Sequence, residues 1–139
     1  MYKIAEENRC VGHKINNIQV QINLGLKLGY EGFTNEKKEV LNFLTGLYKK
    51  ALEEGKVFLP FVITDTVITY AWMSADGPVG AHEPALSLVS DMSPLYFHSS
   101  EEEWKELVEW YAAQLGEQFA QFRVYVTYTQ VETLILQQA

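Results

Sequence analysis

The chain has 139 residues, 47% hydrophobic, 13% aromatic and 21% charged, a size and balance that suit one globular domain, read as a single domain over 1–139, and exclude a disordered tail-like protein. Its net charge of −7 is uneven: residues 1–56 carry nine Lys or Arg against seven Asp or Glu, a balance of +2, whereas 57–139 carry two against eleven, a balance of −9. A phosphate backbone needs clustered cations to displace its counterions, so nucleic acid is excluded as an expected partner.

The N-terminal MYKIAEENRC has no basic stretch followed by an apolar one and does not read as a secretory signal. The longest apolar run, Val57 to Ile63, is too short to span a bilayer, and the lone Cys10 forms no internal disulfide. These features give a cytoplasmic expectation with no membrane partner. Residues 1–16 read as an N-terminal arm or an extra strand.

From Ile18 to Tyr30 every even residue is apolar (Ile18, Val20, Ile22, Leu24, Leu26, Leu28, Tyr30), while the odd ones are Gln19, Gln21, Asn23, Gly25, Lys27 and Gly29. Strict alternation predicts a strand over 18–30 with one buried face. Val40, Leu44, Leu47, Tyr48 and Ala51 then recur on one helical stripe, and Gly55 follows where a left-handed C-terminal residue belongs. A helix over 35–54 is expected.

Val57 to Met73 is β-branched and aromatic and reads as extended, most surely over 66–73, with Pro60 marking an edge or a break. Asp76, Gly77, Pro78 and Gly80 supply turn chemistry, and EPALSLVSDMS returns, which predicts a hairpin with a long loop. Ser99 with Glu102, or Ser100 with Glu103, fits a capping box, and the stripe Trp104, Leu107, Val108, Tyr111, Leu115, Phe119 carries the second helix to about Gln121 across Gly116. Arg123 to Leu136 reads as a closing strand whose two faces are both mixed, so its phase stays open.

The order β, α, β, β, α, β predicts an α+β fold: a ferredoxin-like split βαββαβ over 17–137, with a four-stranded antiparallel sheet and two helices on one face. That fold hosts unrelated activities and carries little functional weight alone. No motif ties the chain to a particular family.

Function is therefore sought on the face the helices leave open. Its expected ligand or dimer residues are Gln21, Asn23, Gly25, Lys27, Tyr70 and Trp72: amides for hydrogen bonding, a glycine for close approach and aromatics for stacking. Thr66, Ile68, Tyr70 and Trp72 share one face of the hairpin strand and Val67, Ala71 and Met73 the other, so apolar groups stand on both sides. Closed two-fold pairing is the common way to cover such a sheet. At 100° per residue from Trp104, the second helix also groups Glu103, Glu106, Glu109 and Glu117 around Trp110, a docking surface for a basic protein.

Cys10, His13, His82 and Glu83 are the only metal-type candidates, drawn together if the hairpin loop lies at the start of the first strand. CVGH is half a zinc spacing without its second half, so no metal and no cofactor is expected. No nucleophile elbow, triad order or paired-carboxylate motif is present. The leading expectation is a non-enzymatic homodimer binding a small molecule or a protein through the open sheet face. The alternatives are an enzyme of the dimeric α+β-barrel kind acting on a small apolar substrate, and an acidic inhibitor or immunity-type protein.

Overall fold

The computed structural model describes residues 2–4, 10–11, 14–28, 33–93 and 97–138, with the backbone alone before Asn16 and at 137. In chain order the elements are β1 (Tyr2–Ile4), β2 (Cys10–Val11), β3 (Lys14–Gly25), α1 (Lys37–Glu53), β4 (Val62–Ser74), β5 (Gly77–Asp91), α2 (Glu101–Gln118), β6 (Tyr125–Thr133) and β7 (Leu136–Gln138). The core sheet runs β6-β3-β5-β4, antiparallel throughout. This is the expected α+β, ferredoxin-like arrangement. Residues 1–16 add two short strands: β1 pairs with β7, and β2 pairs with the start of β3. No helix among the described residues is long and apolar enough to cross a membrane.

The alternation on β3 sets the layers. Ile18, Val20, Ile22 and Leu24 are buried, the last three at 0% exposure. Val40, Leu44, Leu47 and Ala51 of α1, and Trp104, Val108, Tyr111 and Leu115 of α2, join them in one core. Both helices thus seat on the even face of β3. The α1 C-terminus closes as its sequence requires, with Gly55 at φ +76° and Lys56 N–H donating to the Ala51 carbonyl at 2.7 Å. At the start of α2, Ser100 Oγ accepts from Glu103 N–H at 3.2 Å, and the Ser99 hydroxyl donates to the Glu103 carboxylate.

Several expectations need correction. The first strand runs over 14–25, not 18–30, because beyond Gly25 residues 26–28 pair with 33–35 in place of the sheet: Asn35 N–H donates to the Leu26 carbonyl and Leu28 N–H to the Phe33 carbonyl. Tyr30 itself lies outside the described residues. The long hairpin loop is in fact strand: β4 and β5 pair all the way to Ser74↔Gly77, and Gly77 turns at φ +115°. Pro78 and Pro84 are tolerated there because β3 stops pairing with β5 at Gly25↔Ala85, so the other edge of β5 needs no ladder donor beyond that point. The last strand resolves its phase through Ile22↔Val126 and Val20↔Tyr128, which place Val126 and Tyr128 under the helices and Tyr125, Thr127 and Thr129 on the open face.

Candidate functional site

Pairing past Ala85 leaves β4 and β5 as a two-stranded arm that projects about 25 Å beyond the sheet at ~3.3 Å per residue. One face of the arm, bearing Ile68, Tyr70 and Trp72, continues the open face of the sheet. Where the arm leaves the sheet, a half-open cavity of about 630 Å³ forms on that face, within the ~300–1,000 Å³ usual for small-molecule sites.

Three elements build it. The end of β3 supplies Asn23 and Gly25, with Lys27 just beyond. The arm supplies Ile68, Tyr70, Trp72 and Glu83; the Tyr70 and Trp72 rings stack with centroids 5.8 Å apart and 24° between planes. The turn after α2 supplies Gln121, Phe122 and Arg123, followed by Tyr125 of β6.

That turn has a local cause. Ala120 sits at φ +50°, Ala120 N–H donates to Glu117 and Gln121 N–H reaches back to the Gly116 carbonyl at 2.9 Å. These bonds cap the helix with a non-glycine residue in the left-handed region, a conformation costing roughly 1–2 kcal/mol. The helix therefore ends at Gln118, short of the expected Gln121, and the chain is aimed into the cavity. Gln121 Nε2 then donates to two carbonyls, Lys27 at 3.0 Å and Phe119 at 3.0 Å.

Gly25 lies at the closest point. A Cβ there would stand 2.6 Å from Gln121 Oε1 and 3.2 Å from Glu83 Oε1. The missing side chain is what lets both oxygens approach the strand. Next to it the amides lock laterally: Gln21 Nε2 donates to Asn23 Oδ1 at 3.2 Å and to Ser87 Oγ at 3.1 Å, and Gln19 Nε2 donates to Asp91 Oδ1 at 3.1 Å.

Of the residues expected on the open face, Asn23, Gly25, Lys27, Tyr70 and Trp72 line the cavity and Gln21 lies one residue pair away from it. Glu83, singled out as a metal candidate, is a cavity carboxylate instead. Cys10 does not come near it: Cys10 pairs with Ile15 at the start of β3, and Glu83 follows the pairing of Gly25 with Ala85 at the other end, about 33 Å away along the strand at ~3.3 Å per residue. The expectation that the hairpin loop meets the start of the first strand is thus overturned, because β4 and β5 join beyond the far end of β3. The Cys10 side chain and all of His13 lie outside the described residues. His82 is exposed, and no cluster of three metal-type ligands occurs among the described residues.

The acidic helix face is taken up by intramolecular contacts at some positions and left exposed at others. Glu103 belongs to the α2 cap, Glu106 is exposed, and Glu109 stands beside the Tyr128 hydroxyl. Trp110 packs edge-on against Tyr111 with centroids 5.0 Å apart, and Lys56 Nζ lies 5.0 Å over its ring.

No family model and no curated protein matches the sequence. Solved structures do match in fold. A phage SAM lyase in complex with S-methyl-5'-thioadenosine aligns over 97% of this chain and 97% of its own, with a TM-score of 0.62 and 17% identity. A phage SAM lyase in the apo state aligns over 89% of this chain and 90% of its own, with a TM-score of 0.59 and 16% identity. At such identities the likeness establishes the fold, end to end.

Proposed function

We propose that the open-face cavity binds an adenosine-bearing sulfur compound and that the chain is a lyase acting on S-adenosylmethionine, which develops the enzyme alternative over the non-enzymatic one. One observation carries this reading: a half-open cavity with a Tyr70–Trp72 aromatic wall and polar groups at Asn23, Glu83 and Gln121 sits on a fold that matches a thioadenosine-bound lyase along its whole length.

The chemistry suits such a cavity. Cleavage of the sulfonium sends both electrons of one C–S bond to sulfur, which leaves as the neutral thioether S-methyl-5'-thioadenosine. The four-carbon arm closes its own carboxylate onto the carbon that sulfur leaves, forming a C–O bond as the C–S bond breaks, so no water is consumed and no proton is removed. Aromatic faces stabilise a cation through their quadrupole and stack on a purine. The Glu83 carboxylate adds negative potential to the cavity, which favours binding of a substrate that carries net positive charge.

Self-association belongs to the same proposal. Trp72 is 41% and Tyr125 59% exposed on the open face, and a two-stranded ribbon alone is marginal in water. A homodimer whose open faces approach, with Gln21, Asn23, Tyr70 and Trp72 lining the gap, covers this surface. Sedimentation velocity at micromolar concentration tests it; a clean 15.9 kDa monomer removes the dimer.

The enzymatic reading is tested by incubating the purified protein with S-adenosylmethionine and separating products by chromatography. Formation of S-methyl-5'-thioadenosine above the spontaneous rate, lost in Trp72→Ala, is expected. No conversion together with no calorimetric binding of S-methyl-5'-thioadenosine overturns it.

A further inference from the structure

Two acceptor oxygens converge on one point of the cavity. Gln121 Oε1 and Glu83 Oε1 lie 2.6 and 3.2 Å from where a Gly25 Cβ would stand, so they bracket the same small volume. The orientation of the Gln121 amide is fixed by its neighbours. Its nitrogen faces the carbonyls of Lys27 and Phe119, each of which only accepts, so the amide oxygen must be the atom turned toward Glu83. Among the described residues neither oxygen has a hydrogen-bond or ion-pair partner.

A carboxylate beside a fixed amide oxygen offers acceptors and no donor. A neutral hydroxyl satisfies one of them, whereas a primary ammonium brings three donors on one compact charge and satisfies both. A sulfonium has no N–H or O–H donor, and the adenine 6-amino group brings two donors but no charge to set against the carboxylate. On the same cavity lining, Lys27 and Arg123 supply positive charge, the complement for a carboxylate attached near that ammonium. Acceptors at one place and cations beside them match a zwitterionic α-amino acid end.

Resting on the adenosyl reading above, we propose that Glu83 and Gln121 form an ammonium seat beside Gly25, which takes the α-amino group of an adenosyl amino acid and so orients the amino-acid arm away from the Tyr70–Trp72 wall. Gly25 is a positioning residue for this seat: any side chain there pushes the two oxygens apart. The clash is with the ends of two flexible side chains rather than with backbone, so Gly25→Ala disturbs the seat while the sheet stays intact.

Calorimetric titration with two probes tests the seat: S-adenosylhomocysteine, which carries the amino-acid end, and S-methyl-5'-thioadenosine, which shares the nucleoside and the thioether but lacks that end. The wild type is expected to prefer S-adenosylhomocysteine by about tenfold or more, the size of one charge-assisted hydrogen bond. Glu83→Gln and Gly25→Ala should each remove most of that preference, with the affinity for S-methyl-5'-thioadenosine held within about twofold and the thermal midpoint nearly unchanged. Equal weakening of both probes, or an undiminished preference in both variants, overturns the seat and leaves the adenosyl reading standing. Failure of the wild type to bind either probe overturns the adenosyl reading and the seat together.

Discussion

Gln121 Nε2 donates to the carbonyl of Lys27 at 3.0 Å, so one side chain on the turn after α2 holds the segment that follows β3. The same nitrogen caps Phe119 at 3.0 Å. Gln121→Ala removes both bonds, takes this donor from the Lys27 carbonyl and leaves the Phe119 carbonyl only the longer bond from Asn35 Nδ2 at 3.5 Å. A loss of about 1–2 kcal/mol is expected, together with faster amide exchange confined to 119–123 and 26–28. Denaturant titration and hydrogen exchange check this, and unchanged exchange in those two segments would count against the tie.

The layers of the sheet were legible because β3 alternates without a fault from Ile18 to Gly25. Leu24 is 0% exposed beneath the helices while its neighbour Asn23 borders the cavity. Leu24→Asp buries an unpaired carboxylate at a cost of several kcal/mol and should leave the chain unfolded by circular dichroism. Asn23→Asp should fold normally. A folded Leu24→Asp protein would refute the register.

Much of the cavity was legible for the same reason. Asn23, Gly25, Lys27, Tyr70 and Trp72 follow from one face of two strands. Gln121, Phe122 and Arg123 do not, because the apolar stripe of α2 runs on through Phe119 and Phe122 and masks the helix end at Gln118. Only the left-handed backbone of Ala120 ends the helix there, and alanine carries no sequence signal for that conformation. Pro78 and Gly80 misled in the opposite sense: turn-forming residues are compatible with strand when one edge of the ribbon is free. The placement of Cys10 near His82 failed on strand direction: in the split order the first crossover makes β3 and β4 parallel, so the β4–β5 turn lies beyond the C-terminal end of β3 and away from Cys10.

Gly116 and Gly46 make a matched pair on the two helices. A Cβ at Gly116 would meet Val124 Cγ2 at 2.8 Å, whereas nothing lies within 4 Å of one at Gly46. Replacing a helical glycine with alanine gains about 1 kcal/mol in propensity, while overpacking a close contact costs about 1–3 kcal/mol. Gly46→Ala should therefore raise the thermal midpoint and Gly116→Ala lower it. A rise in both would mean that α2 and β6 are not so tightly apposed.

Tyr111 links the core to an alkaline limit of stability. Its hydroxyl donates to the Val57 carbonyl at 3.2 Å. Burial, with Tyr48 beside it, pushes the phenol up to about 12 against the opposing pull of the Leu59 backbone bond. Tyr128 is likewise pushed up to about 12, by burial first and then by the Glu109 charge and hydrogen bond. In the unfolded chain a phenol ionises near about 10, so above that pH the unfolded state sheds protons the folded state keeps. Stability from these groups is complete below about pH 10 and falls as pH rises toward 12. Tyr111→Phe should be less stable at pH 8 through the lost bond to Val57, yet its stability should decline less steeply between pH 10 and 11.5. Urea midpoints measured across that range decide the matter, and identical slopes for the two proteins would exclude Tyr111 as a source of the alkaline loss.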